Sequence, residues 1–271
     1  MRRMLSLLAL TAGVHVCAGP LEDTARRILS EQAAAVVPVS AVLKIEVPGD
    51  NNPAQEQTIE TYGTVLSTNG LTVLSAMSLN PIGGIGAMDV PVGGRIQSVT
   101  PRGTVTQIRV RLPDGDEVPM RQVLTDEDLD LVFLAPDPGE GVAAPPFPHG
   151  VSFESGASAQ VMEEVIGLVR AGKLFNWAPA EGVCRIVARV EKPRLLYLFS
   201  AGFIGGVGTP AFTADGRALG LVVMRRQRAG GPRGFAMNQA AVIVPASDVV
   251  ELARRAEQAA ARSKSDRPST P

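Results

Sequence analysis

Apolar residues in this chain recur mostly at every second position, in short runs cut by turn residues; only the two ends shift to helical spacing. Leu21, Ala25, Ile28 and Leu29 stand on one side of a helix, so residues 21–35 are predicted to form a short amphipathic helix that Pro38 ends. Val39–Val47 is β-branched and apolar and reads as a first strand. A polar loop and a second strand, Thr58–Ser67, follow it. Thr68-Asn69-Gly70 is a turn signal that pairs that strand with Leu71–Ala76. Val105–Leu112 and Glu117–Leu124 flank Pro113-Asp114-Gly115-Asp116 as another hairpin, and Leu129–Ala135 is a compact apolar strand.

Residues 80–103 break the rhythm with repeated glycine and proline and read as a long surface insertion. The Pro/Gly-rich run 136–148 is a natural crossover between two halves. Beyond it, strands are predicted at Ala159–Val169, Val183–Val190, Leu195–Phe199, Thr209–Thr213, Leu219–Met224 and Phe235–Val244. Asp215-Gly216 provides one of the turns. Pro245-Ala246-Ser247-Asp248 opens a terminal helix with Val249, Leu252, Ala253 and Ala256 on one side. Many short strands closed by one helix predict an all-β domain of paired barrels. The expected boundaries are 19–35 for the first helix, about 36–140 and 150–245 for the barrels, and 246–262 for the closing helix. A polar tail spans 263–271.

Composition alters this picture little at first. Apolar residues are 45% of the chain and charged residues 20%, with a net charge of −1, so no strong field favours nucleic acid or an anionic membrane. No stretch past the N-terminus has the ~18 apolar residues a membrane span requires. The N-terminus is different. Arg2 and Arg3 precede the apolar run Met4–Ala12, and Val16 and Ala18 sit at −3 and −1 of a cleavage site, so 1–18 reads as an export signal. The protein is thus expected in the periplasm or secreted; a lipid anchor at Cys17 would require a smaller residue than Val16. Removal of 1–18 leaves 24 basic against 27 acidic residues, a net charge of −3, with His149 and Cys184 as the remaining histidine and cysteine. An intrachain disulfide and a His/Cys zinc site are then excluded, and no cofactor or metal is expected.

Several segments, in fixed order, resemble the protease domain of HtrA (Deg) serine proteases. Gly63–Met77 (GTVLSTNGLTVLSAM) is similar to the hairpin before that family's catalytic histidine, and Val110–Gly115 to the next hairpin. Thr125–Leu134 (TDEDLDLVFL) is similar to the strand that delivers the aspartate. Gly205–Leu221 (GGVGTPAFTADGRALGL) resembles the nucleophile loop, GNSGGP in the family, and Gly234-Phe235-Ala236 its domain ending. The resemblance implies a trypsin-like double six-stranded β-barrel with a short N-terminal and a C-terminal helix. It puts Met77 at the histidine position, Asp130 at the aspartate position and Val207 at the serine position.

A serine triad needs a hydroxyl to attack, an imidazole to take its proton and a carboxylate to orient the imidazole. A thioether and an isopropyl group do neither of the first two tasks, and loss of the triad as a unit costs on the order of 10⁶ in rate. His149 falls in the crossover and reads as a solvated loop residue. Ser75, Ser78 and Thr209 lack a base, and Cys184 belongs to an apolar strand face. What the resemblance leaves is main chain: the N–H groups of Gly205 and Val207 stand where the family binds an oxyanion. Arg225, Arg226 and Arg228 occupy a long hairpin that lies near the specificity pocket in related folds, where they would favour an acidic peptide. The expected function is a non-catalytic protease-like domain that binds a peptide or protein partner, with neither nucleic acid nor a membrane span involved. An active hydrolase with a non-standard site and a structural subunit that uses the 80–103 insertion are the alternatives.

Overall fold

The computed structural model describes residues 19–48, 53–83, 87–92, 95–137, 139, 142–153, 156–200, 206–226 and 239–265. Residues 1–18, expected to be an export signal, lie outside the described residues with Gly205, Arg228 and the 266–271 end of the tail, as do the side chain of Arg226 and residues 235–238 of the last expected strand. Helix α1 (Pro20–Gln32) is followed by a 3-10 turn at Ala33–Ala35 and strand β1 (Val36–Glu46). Then come β2 (Gln55–Val65), β3 (Thr72–Ser75) and the one-turn helix α2 (Ala76–Leu79). The insertion holds β4 (Met88–Val92) and β5 (Arg95–Val99). It leads into β6 (Arg102–Arg111), β7 (Glu117–Asp126) and β8 (Leu131–Pro136). The second half contains β9 (Glu164–Arg170), β10 (Pro179–Val190), β11 (Leu196–Phe199), β12 (Pro210–Thr213), β13 (Ala218–Arg226) and β14 (Gln239–Pro245). Helix α3 (Ala246–Ser265) ends it.

Six strands close into a first barrel in the order β1-β2-β3-β8-β7-β6, and six into a second in the order β10-β11-β14-β13-β12-β9; their ladders are antiparallel. This is the trypsin-like double barrel expected, with its short N-terminal and longer C-terminal helices. Closure removes free strand edges from both barrels.

One continuous apolar core joins the halves. Val73, Leu74 and Phe133 of the first barrel share it with Phe212, Leu221, Val223 and Val242 of the second, and Val249, Leu252 and Ala256 of α3 seal it. Each fully buried Leu, Val or Phe contributes ~1.5–3 kcal/mol relative to exposure, so the seam between barrels is a strong contact rather than a hinge. Two further ties cross it. The Arg121 guanidinium donates to the Ala260 carbonyl of α3 at 3.2 Å. The Arg170 guanidinium, at the end of β9, donates to the carbonyls of Val36, Ala33 (2.7 Å) and Trp177 (2.9 Å), which pins the start of β1 to the second barrel.

Strands β2 and β10 begin earlier than expected, at Gln55 and Pro179, and three further differences have a local reason. Pro38 lies inside β1, opposite Tyr62 of β2. Pairing of β1 with β6 begins only at Val39, so the missing N–H falls on an open side. Residues 159–163 do not extend β9: the Glu163 carboxylate accepts from the Gln160 N–H at 2.8 Å and closes a turn in which Met162 has φ 74°. The 80–103 insertion carries a two-stranded ribbon of its own.

Candidate functional site

The best-organised polar group in the protein is built around Asp130, between the turn after β7 and the start of β8. Asp126 begins that turn by accepting the Leu129 N–H at 2.9 Å, and Leu129 plugs into the core. Asp130 then takes φ 56°, a left-handed conformation that aspartate tolerates better than most residues. Its carbonyl accepts the Ala76 N–H at 3.0 Å, which fixes it against α2. Its carboxylate points into the interface and is only 8% exposed.

That carboxylate is fully engaged. Oδ1 accepts the Met77 N–H at 2.7 Å, while Oδ2 accepts the Ser75 hydroxyl and the Met224 N–H at 3.0 Å. One side chain thereby ties β8 and α2 of the first barrel to β13 of the second. Burial pushes the Asp130 carboxyl above its ordinary range, against the opposing pull of these three hydrogen bonds and of Arg225. Ser75 holds the arrangement from behind: its hydroxyl also accepts the Ser78 N–H at 3.3 Å, and the Ser78 hydroxyl donates to the Ser75 carbonyl at 2.8 Å.

Met77 and Asp130 line one cleft of about 420 Å³ with Met224 and Arg225. Glu127 and Asp128 are also in its wall. Among the described residues the wall of the cleft thus carries three acidic residues and one arginine. Val207 is not in the lining of this cleft. It occupies the turn just before Gly208, which reaches the same seam from the second barrel. The Gly208 N–H donates to the Val222 carbonyl at 2.8 Å, and the Val222 N–H returns to the Thr209 carbonyl at 2.9 Å. Val222 is two residues from Met224, about 7 Å along the strand. The nucleophile-like loop and Asp130 therefore dock side by side on β13.

The loop is held tightly. Gly208 has φ 88°, and a Cβ there would run into the Tyr62 carbonyl, so glycine is required on both counts. The buried Thr64 hydroxyl donates to the Gly208 carbonyl at 2.9 Å. Thr209, which stands where the family has glycine, is fully buried; its hydroxyl and N–H both donate to the Gly206 carbonyl, at 2.6 and 3.1 Å.

Among the described residues this site has an orienting carboxylate and a shaped loop, with a thioether at Met77 and an isopropyl group at Val207. Of the nearby hydroxyls, Ser75 and Thr209 are 0% exposed and Ser78 bonds main chain, while Thr125 is exposed in the cleft wall. His149 is exposed in the crossover, where the Val151 N–H donates to the Val65 carbonyl at 2.9 Å. That anchors it at the end of β2, where Val65 pairs with Thr72 at the start of β3, whereas Met77 follows the end of β3. His149 is not among the residues that line the cleft with Met77 and Asp130. Cys184 is buried in the second barrel beside Ile186 and Tyr197, and burial pushes its thiol up to about 11. Among the described residues no group of three His, Cys, Asp or Glu side chains is placed to hold a metal ion, and no helix is long and apolar enough to cross a membrane.

Sequence reasoning set Ser75 aside as a hydroxyl without a base, although a serine within the mostly apolar run Leu71–Ala76 was a signal that its hydroxyl has a buried partner. The Met224 N–H left no trace, because main-chain donors are common to every residue. No known family model matches the sequence, and no curated protein matches it.

Proposed function

We propose that this protein is an exported, HtrA-type protease relic that no longer cleaves peptide bonds and instead holds an extended stretch of another polypeptide at the seam between its barrels. The observation that carries this reading is the state of Asp130. It is buried, receives the N–H of Met77 and is braced by Ser75, the arrangement an orienting aspartate needs. The side chains it would serve are a thioether at Met77 and an isopropyl group at Val207. Retention of a costly buried carboxylate without its catalytic partners favours a role in shaping the site over a role in chemistry. The hydrolase alternative finds little support in the neighbouring hydroxyls: Ser75, Ser78 and Thr209 are buried or bonded to main chain, and His149 does not line the cleft in which Thr125 is exposed.

Binding would use main-chain donors of the 205–207 loop and the strand face beside it, neither of which depends on side-chain identity. Arg225 adds one positive charge next to three carboxylates, so the ligand preference is for extended shape and a carbonyl or terminal carboxylate rather than for overall acidity. Affinity without a covalent step is about micromolar or weaker. The test is calorimetry of an extended-peptide panel against wild type, Gly205→Pro and Arg225→Ala/Arg226→Ala. Gly205→Pro removes a loop N–H and should abolish carboxylate preference, while the arginine pair should mainly flatten the salt dependence. Equal binding by all three proteins would remove the old cleft as the working surface.

A further inference from the structure

The 80–103 insertion is more than a surface loop. Strands β4 and β5 form a separate two-stranded ribbon, hydrogen-bonded to neither barrel among the described residues. Its register is Met88–Val99, Asp89–Ser98, Val90–Gln97, Pro91–Ile96 and Val92–Arg95. The base is clamped. The Asn80 amide donates to the Gly103 carbonyl at 2.9 Å, the Gly83 N–H donates to the Asn80 carbonyl and side chain at 3.0 Å each, and a Cβ on Gly103 would strike Asn80.

In an antiparallel pair, residues alternate between turning their N–H and C=O toward the partner strand and turning both outward. Proline has no N–H, so Pro91 fits this ladder at a pair whose main-chain groups turn outward. That parity sets the rest. Val92–Arg95, Val90–Gln97 and Met88–Val99 are the hydrogen-bonded pairs. The outward groups are those of Asp89 and Pro91 on β4, and of Ile96 and Ser98 on β5. The two edges of the ribbon are therefore unlike. On β4 one of the two outward donors is missing, at Pro91, which is how natural proteins blunt an edge against strand addition. On β5 the outward N–H and C=O of Ile96 and Ser98 are all present, and the strand has neither proline nor lysine. Residues Arg95–Ser98 are exposed, and the Ile96 side chain is 78% exposed.

From this asymmetry we infer that β5 is a docking edge for an extended segment of a partner polypeptide, which adds to the ribbon as a third strand through the main chain of Ile96 and Ser98. Four hydrogen bonds and the Ile96 side chain set its recognition: a strand-forming segment with an apolar residue opposite Ile96, read through main chain more than through side-chain charge. This surface is separate from the Asp130 cleft and stands whether or not that cleft binds peptide.

The test selects binders from a displayed library of random 12-residue peptides on the full mature protein and measures their affinity by fluorescence anisotropy. Ile96→Pro removes an outward N–H and leaves the β4–β5 ladder bonds in place. It should weaken the selected strand-forming peptides at least ~tenfold, the loss of one good hydrogen bond, with thermal unfolding unchanged. Asp89→Pro makes the matching change on the β4 edge and should leave binding within about twofold. Amide exchange with peptide bound should slow at Ile96 and Ser98. The inference is overturned if no extended peptide is enriched, if Ile96→Pro binds as wild type does, or if Asp89→Pro is the variant that fails. It is overturned also if Gly205→Pro alone abolishes binding, which places the ligand in the cleft. Sedimentation that shows wild-type self-association lost in Ile96→Pro would make a second copy, not a foreign segment, the occupant, and would likewise overturn it.

Discussion

Replacing Asp130 by alanine removes the acceptor shared by the Met77 N–H, the Met224 N–H and the Ser75 hydroxyl, all at a site 8% exposed. Each buried main-chain N–H left without a partner costs ~1–3 kcal/mol. The serine hydroxyl can rotate and loses less. Against this, the variant no longer buries a charge, which recovers part of the loss. Alanine at φ 56° adds ~1 kcal/mol of its own. The net expectation is a loss of about 2–4 kcal/mol. Asp130→Asn tolerates the left-handed backbone and keeps one acceptor oxygen, but its amide cannot accept from the second N–H. It should lose about 1–2 kcal/mol. Urea unfolding followed by circular dichroism, with m-values compared to confirm two-state behaviour, gives both numbers. A loss below ~0.5 kcal/mol for Asp130→Ala, or an alanine variant more stable than the asparagine one, would refute the claim that this carboxylate joins the barrels.

The pH dependence supplies a second handle on the same group. Burial raises the folded-state pKa of Asp130, so the folded protein holds that proton more tightly than the unfolded chain does. Its contribution is fully present below the ordinary value of 3.8 and is lost as pH rises through the raised one. The stability of wild type relative to Asp130→Asn should therefore increase on acidification toward pH 4; a decrease would contradict the direction of the shift. Gly208→Ala should cost more than about 3 kcal/mol in unfolding experiments, since it adds a clash with the Tyr62 carbonyl to an unfavourable φ. Arg170→Ala should lose about 2–4 kcal/mol and hasten proteolysis near Val36, because three carbonyls lose their donor. A chain of residues 19–271, which lacks Cys17, should yield one thiol, Cys184, to a bulky disulfide reagent at pH 8, and only after denaturation; rapid native labelling would mean that its strand face is exposed.

The barrels were legible in the sequence because both faces of a closed sheet leave a mark. Leu131–Ala135 is buried throughout and reads as an unbroken apolar run, while Val118 and Met120 alternate with exposed neighbours on β7. Asp130 was legible from its place before that run. The β4–β5 ribbon was not, because Arg95–Ser98 are exposed on both faces of β5, so burial imposes no alternation there. The role of Pro38 was misjudged for a related reason: whether proline ends an element or sits within it depends on which neighbour is missing at that point, here β6. The brace of Ser75 and Met224 on Asp130 joins residues 55 and 94 positions away in sequence, beyond the reach of any local pattern.

The central claim is that Asp130 presides over a site without base or nucleophile. The most direct measurement is intact-mass analysis of the purified mature protein after incubation with a fluorophosphonate, alongside casein hydrolysis. The account predicts an unchanged mass and no cleavage, because Met77 cannot take a proton and Val207 has none to give. Stoichiometric addition of one phosphonyl group, abolished by replacing a single serine or threonine, would contradict it and identify a nucleophile at work in the fold.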